Sequence, residues 1–126
     1  MSMKIVIVEP GKPGYAAEIE GGLASMQQVV GGYIEVVSIW SDDSAVLVCN
    51  EEGKLQDLPP NRHFEQIADT VVGTFFVCNA REEDLESLSE QQTQRYLVMF
   101  ASPGLYPVED VGQRDSSLPE MSDLIP

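Results

Sequence analysis

The sequence is poor in basic residues. Only seven of its 126 residues are Lys or Arg, against 21 Asp or Glu, and the formal net charge at pH 7 is −14. Nucleic acids and anionic membranes are bound by basic surfaces, so this composition argues against either as a direct partner. It allows docking on a basic protein, including by imitation of the charge of a nucleic acid, and it is equally compatible with a role in solubility alone.

Side chains that carry out catalysis are also scarce. His63 is the only histidine, and Cys49 and Cys78 are the only cysteines. No nucleophile motif stands near the histidine, and the cysteines lack the spacing of a metal site. Each cysteine ends an apolar run, which favours buried free thiols over a disulfide. The sequence therefore predicts a non-catalytic protein with no catalytic residue, metal site or cofactor.

Long apolar runs are missing as well. A membrane-spanning helix needs about 20 consecutive apolar residues. The N-terminus, MSMKIVIVEP, does not have the pattern of a secretion signal. We therefore expect a cytoplasmic protein, and a length of 126 residues suits one domain with its own core.

The chain is organised around residues 21–40. Leu23, Met26 and Val30 fall on one helical face, and the Gly31-Gly32 pair that follows is a natural helix stop. Residues 33–40 are mostly β-branched or aromatic, which predicts a central strand covered on both faces. Glu35 interrupts this apolar run and marks either a strand end or a site.

Other stretches predict the remaining strands. Apolar runs or period-2 alternation occur at residues 3–8, 15–20, 45–49 and 71–78. The Pro59-Pro60 pair excludes regular helix and sheet, so residues 55–62 are predicted to be irregular. A capping box from Ser89 to Gln92 predicts the start of a second helix.

These elements predict an α+β fold of about five mainly antiparallel strands, with two helices packed on one face. The domain is predicted to cover residues 1–104. Residues 105–126 are acidic and contain several prolines, which predicts an extended or disordered tail.

A possible ligand site follows the proline pair. Asn61, Arg62 and His63 are adjacent in the sequence, and the planar guanidinium of Arg62 suits a phosphate or a carboxylate. Lys12, at the tip of a Gly-Pro turn, and the aromatic Tyr33 are the further candidate ligand-binding residues. The alternative is structural: Asn61 caps a turn, Arg62 pairs with a nearby acid, and His63 lies on the surface.

A second candidate site is an acidic cluster before the second helix. Glu82, Glu83, Asp84 and Glu86 could dock on a basic protein. A metal site would require these carboxylates to converge, which the sequence does not establish, and a solvent-exposed acidic face is the simpler interpretation.

Five motifs, KIVIVEPGKPGY, GGLASMQQVVGGYIEVV, CNEEGKL, LPPNR and GTFFV, occur in this order between residues 4 and 77. They resemble the uncharacterised family called domain of unknown function 3846, found in Firmicute bacteria, their mobile elements and their phages. The resemblance covers about residues 4–100, although the segment between the Asn-Arg pair and GTFFV is shorter here than in many members. It implies a small accessory protein of a phage or mobile element, in the host bacterial cytoplasm, and supplies no catalytic residues.

Two functions fit these observations best. In the first, the protein acts against host defence by sequestering a small anionic ligand, such as a nucleotide immune signal. In the second, its acidic surface docks on a basic host nuclease or a restriction or CRISPR protein and blocks it. A structural interaction module and an enzyme are further alternatives. A homo-oligomer is also open, because small binding domains often build sites across a two-fold interface.

Overall fold

The computed structural model describes residues 1–107. Within this range the chain forms eight strands and two α-helices. The strands are β1 (Ser2–Val8), β2 (Tyr15–Glu20), β3 (Ile34–Val37), β4 (Ala45–Asn50), β5 (Pro60–Phe64), β6 (Asp69–Val72), β7 (Phe75–Arg81) and β8 (Asp84–Glu86). The helices are α1 (Leu23–Val30) and α2 (Glu90–Met99), and a 3₁₀ turn, Glu65–Ile67, joins β5 to β6.

Six strands form one sheet in which every pairing is antiparallel. The order is β2-β1-β7-β4-β3, and β8 pairs with the last residues of β7. The middle strand is β7, whose residues 75–78 are completely buried. Residues 75–78, FFVC, are apolar at every position because both faces of the strand are covered there.

Two hydrophobic cores lie on the two faces of this sheet. Ile5 and Phe76 pack in the core under α1, whereas Val6 and Val77 pack in the core under α2. The predicted α+β class, antiparallel sheet and pair of helices are confirmed. The helices, however, lie on opposite faces and not on one face as predicted. The physical reason is that β1, β4 and β7 are apolar at nearly every position, so each face of the sheet needs a cover.

β5 and β6 form a separate two-stranded antiparallel sheet on the face that carries α2. Irregular chain was predicted for residues 55–62; residues 55–59 are irregular, whereas residues 60–62 belong to β5. Proline is tolerated here because Pro60 occupies the first position of β5, where the strand begins. Gly73, with a φ of +77°, divides the predicted strand at residues 71–78 into β6 and β7.

The stretch at residues 21–40 forms a helix, a glycine stop and a strand, as predicted. Gly31 ends α1 in the left-handed conformation, with a φ of 79°. The strand is shorter than predicted, and it lies at the edge of the sheet instead of its centre. Its apolar run continues because Ile39 and Trp40 fill the core under α2 from a loop, where the rings of Trp40 and Tyr96 lie 4.6 Å apart.

The predicted tail begins in contact with the domain. The carbonyl of Leu105 accepts a hydrogen bond from the N–H of His63 at 2.7 Å, and the ring of Tyr106 lies 5.6 Å from the His63 ring. The part of the predicted tail at residues 108–126 lies outside the described residues. Among residues 1–107, no helix is both long enough and apolar enough to cross a membrane.

Candidate functional site

Asn61 and Arg62 both point into the protein, because a β-bulge interrupts the pairing of β5. Pro60 pairs with Val72 and Arg62 with Val71, so Asn61 is an extra residue without a partner across the strands. In a regular strand two successive side chains would lie on opposite faces. Here both are buried, with 2% and 0% of their surface exposed.

The side chain of Asn61 links β5 to the end of β1 and to the residues just before β7. Its Nδ2 donates to the carbonyl of Val8, at the end of β1, at 2.9 Å. The same atom donates to the carbonyl of Gly73, just before β7, at 2.8 Å. Both amide hydrogens are therefore used to satisfy buried backbone acceptors.

Arg62 is a buried cation that bonds to carbonyl oxygens. Nη2 donates to the carbonyls of Lys12 at 2.8 Å and of Ser102 at 2.7 Å, and Nη1 donates to Oδ1 of Asn61 at 2.8 Å. Within residues 1–107 it has no ion pair with a carboxylate, and its Nε is buried without a hydrogen-bond partner. Burial lowers the pKa of this guanidinium. In this structure the group holds two loops together and is closed to a ligand.

The other three predicted ligand-binding residues are accessible but do not converge. His63 is half-buried, and its Nδ1 lies 2.8 Å from Oγ1 of Thr70. Lys12 is exposed and meets Arg62 only through its backbone carbonyl, while its Nζ lies 3.5 Å from Glu9. Tyr33, with 65% of its surface exposed, precedes β3 at the sheet edge opposite the β1–β2 turn that carries Lys12.

The predicted protein-docking residues lie on one exposed hairpin. Glu82 and Glu83 form the turn between β7 and β8, and Asp84 and Glu86 belong to β8. We call residues 81–86 the acidic hairpin. Its single cation, Arg81, lies 3.7 Å from Glu86, an exposed pair that neutralises little of the local charge.

A second arginine is held inside a polar network between α2 and the β3–β4 loop. Asp43 accepts hydrogen bonds from Tyr96 at 2.7 Å and from Gln92 at 2.8 Å, and Arg95 lies 3.3 Å from it. Burial pushes the pKa of Asp43 up, but these hydrogen bonds, one from the N–H of Ser44 and the charge of Arg95 outweigh it, so the pKa is lowered. This network fixes α2 on the sheet.

A cavity of about 260 Å³ opens between β3 and β4 on one side and β6 on the other. Apolar parts of Val37, Cys49, Ile67 and Val71 line it. The sequence did not predict this cavity, because it depends on how β6 packs against β3 and β4, which no local pattern indicates. Glu35, a charged residue within an apolar run, was the one sequence signal at the position of this cavity.

The polar groups around the cavity are mainly acidic. Among the residues that line it, Glu35, Glu51 and Asp69 are carboxylates and Lys54 is the one cation, with its Nζ in contact with Asp69. The hydrogen bond from Lys54 lowers the pKa of Asp69. Burial raises the pKa of the Cys49 thiol to about 11, and the charges of Glu35 and Asp69 act in the same direction. A protonated thiol is a poor nucleophile.

Metal binding finds no support in the geometry. No group of three or more His, Cys, Asp or Glu side chains within residues 1–107 is arranged to hold a metal ion. The four carboxylates of the acidic hairpin follow one another along a turn and do not converge on one point.

Comparison with known proteins identifies the family. A search of curated proteins and a search of solved structures each found no match. A family model matches residues 3–101, a range that includes the large sheet, both helices, the acidic hairpin and the cavity. The match ends just before Ser102, whose carbonyl is bound by Arg62. The chain belongs to the family described as Domain of unknown function (DUF3846).

Proposed function

We propose that this protein is a small non-catalytic accessory protein of a phage or mobile element, acting against host defence in the bacterial cytoplasm. It does so by docking its acidic surface on a basic host protein, of the nuclease, restriction or CRISPR type. The family resemblance supports the phage and mobile-element setting.

The observation that carries this proposal is the position of the few cations. Of the seven basic side chains, Arg62 is completely buried and Arg95 is only 17% exposed against Asp42 and Asp43. Lys12 and Lys54 each pair with an acid of the same chain. Few cations are therefore left unpaired within residues 1–107 while acids are in excess, which favours a basic partner and fast, salt-dependent association.

Within residues 1–107, the acidic hairpin brings four carboxylates together in one short segment. Glu82, Glu83 and Asp84 are all exposed, and none of them has an ion-pair partner within residues 1–107. Their charge is available to a partner without first breaking a contact in the protein. We expect this hairpin to contribute most to the rate of association.

A phage-plating experiment tests the proposal. The protein is expressed in a bacterium that carries a restriction or CRISPR system, and the plating efficiency of a sensitive phage is measured. Restored plating supports the proposal, and it should be lost when the four hairpin acids are changed to their amides. A matched variant neutralises four exposed acids elsewhere: Glu18, Glu20, Asp57 and Glu90. Equal loss in both variants would contradict a specific role for the hairpin.

Sequestration of a small anionic ligand of the nucleotide type is the second candidate. It is favoured by the His63–Tyr106 ring pair, at 5.6 Å, which offers an aromatic surface beside β5. A thermal-shift screen with nucleotides and cyclic dinucleotides tests it. A ligand at 100 times its Kd stabilises the folded state by about 2.7 kcal/mol, which raises Tm by several degrees. A flat screen would exclude the nucleotides tested as ligands.

A further inference from the structure

The cavity beside β3 combines an apolar lining with an acidic rim. Val37, Cys49, Ile67 and Val71 provide the apolar surface, and the rim carries the carboxylates of Glu35, Glu51 and Asp69. Cavities that hold drug-sized ligands run from about 300 to 1,000 Å³. At about 260 Å³ this one is better matched to a single long side chain than to a nucleotide.

The charges around the cavity are not balanced within the protein. Lys54 is the only cation among the lining residues, and its Nζ is engaged by Asp69. Glu35 is exposed, and within residues 1–107 it has neither an ion-pair partner nor a side-chain hydrogen bond. An entering cation would therefore meet a free carboxylate without displacing an existing contact.

Lysine and arginine side chains fit this arrangement of apolar and charged groups. Their methylene stems pack along apolar surface while their charged ends remain among polar groups. An anionic ligand would instead meet three carboxylates across a small cavity, where like charges repel. A neutral apolar side chain would leave Glu35 without a partner.

We propose that the cavity receives one lysine or arginine side chain of the basic protein on which this chain docks. The stem of that side chain lies against Val37, Cys49 and Val71, and its charged end lies at Glu35. This inference rests on the proposed docking function. It adds a specificity element, because a general acidic surface selects basic partners, whereas a cavity selects one extended cationic side chain at one position.

A titration followed by ¹H–¹⁵N NMR tests this inference without a known partner. The full chain is titrated with Nα-acetyl-lysine N-methylamide and, separately, with the norleucine derivative, which has the same stem without the charge. We expect saturable shift changes at the backbone amides of Val37, Cys49 and Thr70 with the lysine derivative alone. No change at tens of millimolar, or equal changes with both probes, would overturn the inference.

Two variants locate the charge that is responsible. Glu35→Gln should lower the affinity for the lysine derivative about fivefold, which is the usual contribution of one partly exposed ion pair. Glu82→Gln, on the acidic hairpin, is the matched control and should leave its affinity unchanged. Equal weakening in both variants, or tighter binding of free putrescine than of the lysine derivative, would contradict a side-chain site.

The experiments distinguish failure of the cavity inference from failure of the docking proposal. If plating depends on the acidic hairpin but the cavity binds neither probe, docking stands and the cavity inference is wrong. If the cavity binds the lysine derivative, a Glu35→Gln variant should also lose part of its effect on plating. An unchanged effect on plating would refute the role of the cavity in docking.

Discussion

Arg62 is a charged residue that the interior tolerates because its hydrogen bonds are supplied by the backbone. A buried cation without a carboxylate loses the hydration of its charge. The carbonyls of Lys12 and Ser102 and the amide of Asn61 offset part of this loss with short, charge-assisted hydrogen bonds. In return Arg62 supplies donors to these two carbonyls and to the buried side-chain oxygen of Asn61.

Replacing Arg62 tests this structural role. Arg62→Met keeps much of the side-chain volume but leaves three acceptors without a donor, so the free energy of unfolding should fall by about 2–4 kcal/mol. Urea unfolding followed by circular dichroism measures the change. Arg81→Met, at a side chain 75% exposed, should change it by less than about 0.5 kcal/mol. A neutral effect at Arg62 would show that its hydrogen bonds do no more than balance its desolvation.

The burial of Arg62 also affects which variants are useful in functional experiments. Arg62→Ala would be expected to destabilise the fold, so loss of a ligand or of activity in that variant would not identify a binding residue. Variants of His63, Lys12 and Tyr33 are better tests of the predicted ligand site, because their side chains are at least partly exposed.

Asp43 should make stability depend on pH in the acid range. Its pKa is lowered in the folded protein, so its contribution is complete above the ordinary value of about 3.9 and is lost as the pH falls through the folded pKa. The difference in unfolding free energy between the wild type and Asp43→Asn should therefore shrink as the pH is lowered from neutral into this range. Asp57→Asn, at an exposed loop residue, is the control. A difference independent of pH would contradict the lowered pKa.

The side-chain types at the candidate sites could be read from the sequence, but their directions could not. The sequence singled out Asn61 and Arg62 as unusual polar residues, and the structure gives both a specific set of partners. Their burial depends on a bulge in β5 and on carbonyls 50 and 40 residues away along the chain. Contacts at such separations leave no local pattern.

Local signals did define the helices correctly. The capping box is formed as predicted: Ser89 accepts from the N–H of Gln92 at 3.1 Å, and the side chain of Gln92 accepts from the N–H of Ser89 at 2.9 Å. Gly31 ends α1. The small sheet was missed because its strands are short, one begins with proline, and both depend on packing against the core under α2.

Two glycines with nearly equal φ allow the cost of backbone strain to be measured separately from the cost of a steric clash when each is replaced by alanine. Gly31 has a φ of 79° and open space where a Cβ would stand, whereas a Cβ at Gly73, with a φ of 77°, would lie 2.7 Å from Cδ1 of Leu58. Gly31→Ala should cost about 1 kcal/mol from the left-handed conformation alone. Gly73→Ala should cost more than Gly31→Ala, because the end of the Leu58 side chain must also shift. Equal losses in thermal unfolding would mean that Leu58 moves freely.

The whole molecule carries a net charge of −14, and the ion pairs described within residues 1–107 are mostly exposed. Exposed pairs contribute little, so repulsion between like charges should dominate the response to salt. Raising the NaCl concentration from about 0.01 to 0.15 M shortens the screening length from about 30 to 8 Å and should raise Tm by a few degrees. A Glu82→Lys, Glu83→Lys variant should respond less. A fall in Tm with salt would show that attractive pairs dominate instead.

The placement of the helices on opposite faces is also a property of the whole molecule. The apolar runs at residues 3–8 and 45–49 indicated buried strands, but they did not show that the two helices cover opposite faces of the sheet. In the structure β7 inserts between β1 and β4, and its alternate residues face the two cores. Strand order is set by pairings between distant segments, and one sequence does not reveal them.

The position of Arg62 in the chain has a consequence for the lifetime of the folded state. Its hydrogen bonds join the β1–β2 turn, β5 and the segment after α2, so all three must be in place before the bonds can form. Contacts that close such long loops are expected to form after the main folding barrier. Arg62→Met should therefore accelerate unfolding in stopped-flow measurements and leave the refolding rate nearly unchanged. Arg62 would then lower the unfolding rate and so prolong the lifetime of the folded state.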